Sequence, residues 1–230
     1  MKNHSPNAKR PRERAVLFDF DGTLFDASEA IIRSFNAALA RAGRPEWPPE
    51  RIRPLIGRPL LDMFPLAAPD ATPAQIEELI AAYRTAFHPI CVPLTRPLPG
   101  LYPCIETLRA DGLRLAIVTN RAGHGARLIL QGFGLMEAFP VVIGLDRVTR
   151  GKPHPESVLL ALKELDVMAE SAVLVGDTRE DMRSASAAGV RAIGVLTGSE
   201  TAEPLLHSGA AAIVPDLSHL APLLAKMLPA

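Results

Sequence analysis

The amino-acid sequence predicts an α/β fold: a doubly wound parallel sheet with helices on both faces, into which a small α-helical domain is inserted. The first observation is a series of short apolar runs without polar alternation, which is typical of strands buried on both faces. The second is that stretches with apolar residues at helical spacing separate these runs, and such alternation favours a parallel sheet. The third is a long segment without strand-like runs, which predicts the inserted domain.

Five apolar runs are predicted to be strands of the sheet, and four of the stretches that follow them are predicted to be helices. The predicted strands are 15–18, 113–118, 141–143, 172–175 and 191–195. The predicted helices are 104–110, 125–131, 156–165 and 179–188.

The inserted helical domain is predicted at residues 27–96. Apolar residues form two stripes at helical spacing there, namely Ile31, Phe35 and Leu39, then Ile76, Leu79, Ile80 and Tyr83. The many prolines of this segment, Pro65 among them, are predicted to end helices, because proline lacks the amide hydrogen. The α/β core then comprises 14–26 and 97–230, and residues 1–13 are predicted to be a disordered, partly basic tail.

Composition excludes several classes of function. The chain has 230 residues with a formal net charge of zero, so as a whole it lacks the excess positive charge that attracts nucleic acid or an anionic membrane. It has no apolar run of bilayer length and no signal peptide, which predicts a cytoplasmic protein. Cys91 and Cys104 lack metal-ligand spacing; one disulfide is conceivable, but two free thiols are favoured. Both a monomer and a homodimer remain open.

Carboxylates follow two of the predicted strands at the points where these strands end. Asp19 and Asp21 come directly after the first strand, and Asp177 follows the fourth, with Asp181 close behind it. Ligands of an open parallel sheet bind beyond the carboxyl ends of its strands, and oxygen ligands from several strands suit a hard cation such as Mg²⁺. Asp181 also has a second interpretation, because with Thr178 it resembles a capping box at a helix start. The two roles are compatible.

Three further polar residues lie in predicted loops near this edge of the sheet. Thr119 and Asn120 follow the second strand and offer a hydroxyl and an amide to a phosphate oxygen. Lys152 precedes a predicted helix, and taken alone it is an ordinary solvated lysine. Beside the acids and hydroxyls of the other loops, it supplies the cation that a phosphoryl group requires.

The order of these motifs along the chain resembles the four motifs of the haloacid dehalogenase superfamily. The motifs are LFDFDGT at 17–23, VTN at 118–120, GKP at 151–153 and GDTRED at 176–181. The resemblance extends from about residue 14 to the C-terminus. It implies a Rossmann-like core and an α-helical cap, which closes over the site and excludes water.

The resemblance also implies a Mg²⁺-dependent phosphatase that forms an aspartyl-phosphate intermediate. Asp19 matches the nucleophile, Asp21 the general acid/base, and Lys152 the cation that orients the nucleophile. The implied phosphate-binding positions are Gly22, Thr119, Asn120 and Lys152. The implied metal ligands are Asp19, Asp21 through its backbone carbonyl, Asp177 and Asp181.

The same residues separate branches of that superfamily. The dehalogenase branch lacks an acid two residues after the nucleophile, so Asp21 favours phosphoryl transfer. Segment 27–96 contains no Lys, which argues against the phosphonate-cleaving branch. Segment 29–33 contains no His, which weakens the interpretation as a phosphosugar mutase but leaves it as an alternative. The chain resembles most the phosphoglycolate phosphatases and related small-phosphate hydrolases, with pyrophosphate among the candidate substrates. Arg58, in a Pro-flanked loop, is the first candidate for a specificity residue.

Two alternatives lie outside the phosphatases. A phosphoacceptor switch also combines Asp, Thr and Lys on a doubly wound sheet, but its phosphoryl group must persist, whereas Asp21 is placed to remove it. A catalytically silent binding protein is the second alternative, although all the polar residues expected of an enzyme are present. The expected partner is therefore a small phosphorylated metabolite.

Overall fold

The structure, a computed structural model, describes residues 13–228, so the predicted tail at 1–13 lies outside the described residues apart from Glu13. Its main element is a six-stranded parallel sheet. The strands of this sheet are β1 (Ala15–Phe18), β4 (Arg114–Val118), β5 (Val141–Ile143), β6 (Ala172–Gly176), β7 (Arg191–Val195) and β8 (Ala210–Val214). Two short strands, β2 (Phe25–Asp26) and β3 (Arg96–Pro97), form a separate antiparallel pair.

Strand β1 lies at the centre of the sheet, whose order is β5-β4-β1-β6-β7-β8. Its four side chains are buried, with Val16 and Phe18 in one apolar cluster and Ala15 and Leu17 in another. This division arises because successive side chains of a strand point to opposite faces. The chain runs outward from β1 through β4 to β5 and returns to β6 on the other side. The strand order therefore reverses beside β1, which is where ligands bind in folds of this class.

Helices cover both faces of the sheet, which confirms the predicted fold class. They are α1 (Ser28–Arg41), α2 (Pro49–Ile52), α3 (Leu60–Ala67), α4 (Pro73–Ile90), α5 (Leu101–Ala110), α6 (Gly123–Gly132), α7 (Glu156–Leu165), α8 (Arg179–Ala187), α9 (Ala202–His207) and α10 (Leu220–Met227). Apolar residues of α5, α6 and α10 belong to the cluster on one face of the sheet. Those of α7, α8 and α9 belong to the cluster on the other face.

Residues 27–96 contain α1 to α4, and the two predicted apolar stripes are the buried faces of α1 and α4. Phe35 of α1 stacks on Phe64 of α3, with ring centroids 4.6 Å apart. Strands β2 and β3 pair at the two ends of this segment, so the chain enters and leaves it at one place. That the segment is a separate domain with these boundaries stays a prediction.

The prolines of this segment do not all end helices. Pro49 and Pro73 are the first residues of α2 and α4, where no amide hydrogen is needed. Pro65 lies inside α3, so the prediction that it ends a helix is wrong. The lost hydrogen bond is tolerated because Pro65 is exposed and Leu61, whose carbonyl is freed, is 56% exposed to solvent.

Strand β8 was not predicted from the sequence. This strand reads Ala-Ala-Ala-Ile-Val and lies at the edge of the sheet, where several of its side chains are partly exposed. Alanine is depleted in strands, so its sequence lacks the β-branched run that identified the inner strands. Packing against β7 determines its conformation instead.

Cys91 and Cys104 are both buried and are free thiols, which agrees with the favoured interpretation. Burial raises the pKa of the Cys104 thiol to about 12, so this sulfur stays protonated. Within residues 13–228, no helix combines the length and the apolar character needed to cross a membrane.

A methyl group added at Gly100 tests how tightly the start of α5 packs against the backbone near Ser218. It precedes α5 with a φ of 81°, and a Cβ there would lie 2.3 Å from the backbone nitrogen of Ser218. We expect Gly100→Ala to lower the free energy of unfolding by about 3 kcal/mol, because overpacking against backbone adds to left-handed strain. Urea unfolding measures the loss.

Gly112 provides the matched control. Its φ is 75°, but no heavy atom of the described residues lies within 4 Å of its Cβ position. Gly112→Ala is therefore expected to cost about 1 kcal/mol from backbone strain alone. Equal losses in the two variants would show that the contact with Ser218 does not constrain Gly100.

Candidate functional site

Two neighbouring strands bring carboxylates to the same edge of the sheet. Asp19 follows β1 and Asp177 follows β6, and these strands are parallel with Phe18 opposite Val175. The amide of Asp19 donates to the carbonyl of Val175 at 2.9 Å, which extends the pairing by one residue. Asp181 lies in the first turn of α8, which begins directly beyond β6. The predicted convergence of the three acids is therefore present.

Asp19, Asp177 and Asp181 form a buried carboxylate cluster. One carboxylate oxygen from each residue lies within 4.8 Å of the others, and the residues are 5%, 2% and 0% exposed. The ammonium of Lys152 donates to Oδ1 of Asp19 and to Oδ1 of Asp181, each at 2.5 Å. It also donates to the carbonyl of Val118 at 2.9 Å. All three ammonium hydrogens are thus used inside the site.

Burial dominates the protonation equilibria of the cluster. It raises the pKa of Asp19 to about 7, although Lys152 acts in the opposite direction. Burial, together with the charges of Asp19 and Asp181, raises the pKa of Asp177 well above its usual range. Burial lowers the pKa of Lys152, but the charges of Asp181 and Asp19 outweigh it and the net shift is upward. Three carboxylates therefore share one ammonium, and a further cation would offset the cost of burying their charge.

Two glycines make room for the carboxylate of Asp177. A Cβ on Gly198 would lie 1.8 Å from Oδ2 of Asp177, and a Cβ on Gly22 would lie 2.5 Å from the same oxygen. Thr23 Oγ1 and the amide of Ser199 donate to the two oxygens of Asp177 at 2.9 and 3.1 Å. These contacts orient the carboxylate as a metal ligand is oriented by its outer partners. Three buried hard oxygen donors with one ammonium fit a divalent cation.

The capping role predicted for Asp181 is confirmed. Its amide donates to Thr178 Oγ1 at 3.3 Å, and its Oδ2 accepts from the amide of Thr178 at 3.1 Å. Its other oxygen accepts from Lys152, so Asp181 joins the start of α8 to the lysine. Direct metal ligation by Asp181 stays a prediction.

Asp21 is paired with Arg121, an arginine that the sequence analysis did not identify. Arg121 donates from Nε to one oxygen of Asp21 at 2.9 Å and from a terminal nitrogen to the other at 2.6 Å. The guanidinium also lies over the ring of Phe87, 4.6 Å from its centroid. Its position directly after Thr119 and Asn120 could have indicated a site residue, but an arginine in a loop is usually solvated. Each oxygen of Asp21 keeps a second lone pair, with which it can interact with another group.

Asn120 connects the lysine loop to the helical segment. Its Oδ1 accepts from the amide of Lys152 at 2.8 Å, and its Nδ2 donates to the carbonyls of Lys152 and Gly57 at 3.1 and 3.2 Å. Its side-chain amide is therefore occupied by backbone. Thr119 Oγ1 accepts from the amide of Arg121 at 3.1 Å, which leaves its hydroxyl hydrogen for a ligand.

A cavity of about 710 Å³ lies beside Asp21, between the helical segment and the sheet. Arg58 lines it, as do Gly57 and Asn120. Arg51, an arginine of α2, lies instead over the ring of Trp47, 3.5 Å from the ring centroid. Of these two arginines, Arg58 is thus the one that lines the cavity.

The chain is similar in sequence to known proteins. The family model described as haloacid dehalogenase-like hydrolase matches residues 16–195. The chain is 34% identical over 190 residues to a phosphoglycolate phosphatase of Xylella fastidiosa. This match covers 83% of each of the two chains. It is 36% identical over 176 residues to the pyrophosphatase PpaX of Halalkalibacterium halodurans, which covers 76% of this chain and 80% of that relative.

The fold also matches solved structures. A haloacid dehalogenase-like hydrolase from Bacteroides fragilis superposes with a TM-score of 0.85 at 29% identity. The match covers 91% of this chain and 100% of the other. The six-stranded sheet with its helices is therefore shared by the two proteins.

Removal of the Lys152 ammonium is expected to destabilise the protein strongly. Lys152→Met would leave two buried carboxylates without their ammonium, and we expect a loss of about 3 kcal/mol in the free energy of unfolding, measured in chelator. Lys163→Met is the matched control, because Lys163 is an exposed lysine of α7, and it should change the free energy by less than about 0.5 kcal/mol. Similar small losses in both variants would contradict the charge balance described above.

Proposed function

This chain belongs to the haloacid dehalogenase-like hydrolase family and is a hydrolase of phosphoric esters, and we propose that it is a magnesium-dependent phosphatase with Asp19 as its nucleophile. The names of its relatives indicate small phosphorylated substrates, with phosphoglycolate and pyrophosphate as the first to test. The observation that carries the proposal is the pairing of Lys152 with Asp19 inside a buried carboxylate cluster at the end of β1. A carboxylate so placed is oriented for attack on phosphorus.

We propose Mg²⁺ as the cofactor, held by Asp19, Asp177 and the backbone carbonyl of Asp21, with Asp181 supporting the site. The support for this is the shortage of positive charge among three buried hard oxygen donors. When bound, the ion supplies the positive charge that lets a phosphate dianion approach a carboxylate.

The first proposed step transfers the phosphoryl group to the protein. An Asp19 oxygen attacks phosphorus, the bond between phosphorus and the ester oxygen breaks, and the leaving oxygen takes a proton from Asp21. Lys152 engages Oδ1 of Asp19, which leaves Oδ2 for the attack. Asp21 must carry a proton for this step while it lies beside Arg121.

The second step regenerates the protein. Water attacks the phosphorus of the aspartyl phosphate and gives its proton to Asp21, the bond between phosphorus and the Asp19 oxygen breaks, and inorganic phosphate leaves. In both steps the phosphate is bound by Gly22, Thr119, Asn120 and Lys152. The hydroxyl of Thr119 has a hydrogen to offer, whereas Asn120 would act through its backbone amide because its side chain is occupied.

We infer that residues 27–96 act as a cap on a core formed by 14–26 and 97–230. The support is the pairing of β2 with β3 at the ends of the segment and the contact between Asn120 and Gly57 across the site. A closed cap would keep bulk water away from the aspartyl phosphate. Arg58, on the cap side of the cavity, is the proposed specificity residue.

The two acids should differ sharply when each is replaced. We expect Asp19→Asn to abolish phosphate release from every ester, because the amide cannot attack phosphorus. Asp21→Asn should slow turnover by about 10²- to 10⁴-fold, because the proton transfers are lost while the nucleophile remains. Acid-quenched intact-mass measurement should detect the phosphorylated chain in Asp21→Asn and not in Asp19→Asn.

Asp111→Asn is the control for this experiment, because Asp111 is an exposed carboxylate at the end of α5. It should turn over substrate at the rate of the unaltered chain. Equal, mild losses in Asp19→Asn and Asp21→Asn would contradict the roles proposed for both acids.

The proposed metal site is testable without any substrate. At about 100 times its dissociation constant, Mg²⁺ should raise the free energy of unfolding by about 2.7 kcal/mol relative to chelator. Asp177→Asn should lose most of this increment, because one hard ligand is gone, and Asp111→Asn should keep it. Urea unfolding with Mg²⁺ and with chelator measures the difference. Full stabilisation of Asp177→Asn by Mg²⁺ would place the ion elsewhere.

A further inference from the structure

The cavity beside Asp21 is larger than phosphoglycolate or pyrophosphate requires. Its volume of about 710 Å³ would hold roughly twenty water molecules at their share of about 30 Å³ in the liquid. Pockets of that volume bury ligands of drug size. A two-carbon acid or a second phosphate would leave most of this space unfilled.

The buried residues that segment 27–96 contributes to the cavity wall are largely apolar. They come from three helices of this segment, and they are Ile31, Met63, Ile80, Tyr83 and Phe87. Leu128 of α6 lines the cavity from the side of the sheet. A carboxylate or phosphate pressed against this wall would lose its hydration without a partner to replace it.

The charged residues of the lining carry no net positive charge, because three acids face three arginines. Among the described residues, Asp21 and Arg121 are mostly buried and are paired with each other. Four other charged lining residues are exposed and carry both signs, namely Arg58, Glu77, Arg84 and Asp146. An uncharged group suits this distribution better than an anionic one.

Tyr83 places one polar atom in this wall. The residue is 7% exposed and lines the cavity, and its hydroxyl makes no hydrogen bond to another described residue. Solvent reaches this hydroxyl, so water can be its partner. A single polar atom on an otherwise apolar ligand would replace that water.

The leaving group is the part of the substrate that must lie in this cavity. Asp21, the proposed acid for the leaving oxygen, lines the cavity, so whatever that oxygen carries extends into it. Resting on the proposed function, we propose that the substrate is a phosphate monoester of a bulky, uncharged and largely apolar alcohol or phenol. This is a larger leaving group than the glycolate or phosphate expected from the sequence.

The experiment compares 1-naphthyl phosphate with phosphoglycolate and pyrophosphate as substrates of the full chain in Mg²⁺. We expect kcat/KM for 1-naphthyl phosphate to exceed the other two values by at least about tenfold. Values for phosphoglycolate or pyrophosphate that equal or exceed it would overturn the inference and leave the phosphatase proposal standing.

A pair of Leu→Trp variants tests the cavity itself. Leu128→Trp places a large ring in the cavity and should lower the ratio of kcat/KM for 1-naphthyl phosphate to that for acetyl phosphate by about tenfold. Leu66→Trp is the control, because Leu66 is 49% exposed on α3 and is not among the lining residues. The control should keep the ratio of the unaltered chain. An unchanged ratio in Leu128→Trp would count against the proposed leaving group.

Binding of the free alcohol separates this inference from the proposed function. 1-Naphthol should raise the thermal unfolding midpoint of the unaltered chain and of Leu66→Trp, and should do so less for Leu128→Trp. Absence of turnover with every substrate would refute the phosphatase, and the 1-naphthol shift would then decide whether the cavity takes such a group. No shift in any of the three proteins would overturn the inference.

Discussion

The burial of three carboxylates at one edge of the sheet is the constraint on which the rest of this site depends. Parallel pairing of β1 with β6 places Asp19 and Asp177 side by side, and α8 adds Asp181. Such a group is tolerated only with compensating charge, and Lys152 commits all its hydrogens to the site. The lysine loop is in turn held by both polar atoms of the Asn120 side chain. Local structure around the cluster thus follows from the need to neutralise it.

The two acids after β1 are two residues apart, yet their surroundings differ. Asp19 lies in the carboxylate cluster with Lys152, whereas Asp21 accepts both of its short hydrogen bonds from Arg121, which rests on Phe87. Each acid has its own basic partner, and different surroundings of neighbouring carboxylates fit the different tasks proposed for them. Asp21 therefore pairs with Arg121 and not with the lysine of the cluster, and both members of this pair line the cavity. The proposed acid–base chemistry and the proposed leaving-group binding would meet at this one pair.

Much of the fold and of the site was predictable because the signals are local. The inner strands are continuous apolar runs, and the acids, Lys152 and Thr119 follow them in a fixed order. Arg121 was missed because its partner Asp21 is 100 positions away in the sequence. Gly198 was missed because its close approach to Asp177 depends on how the loop after β7 packs. The cavity has no sequence motif, since its wall combines α1, α3, α4 and α6, and its chemistry appears only when these helices are packed.

The cavity and the acids are connected through the segment that carries α1 to α4. The carbonyl of Gly57 in this segment accepts a hydrogen bond from Asn120, and Asn120 also bonds the backbone of Lys152. Movement of the segment away from the sheet would break the bond between Gly57 and Asn120. A leaving group that fills the cavity touches both sides and stabilises the state in which they are together. Binding of the part of the substrate that does not react would then favour the arrangement in which Lys152, Asp19 and Asp21 act. The apolar leaving group proposed here would do this without bringing a charge that competes with Asp21 for Arg121, so binding energy from the apolar wall would not disturb the pairing of the acid.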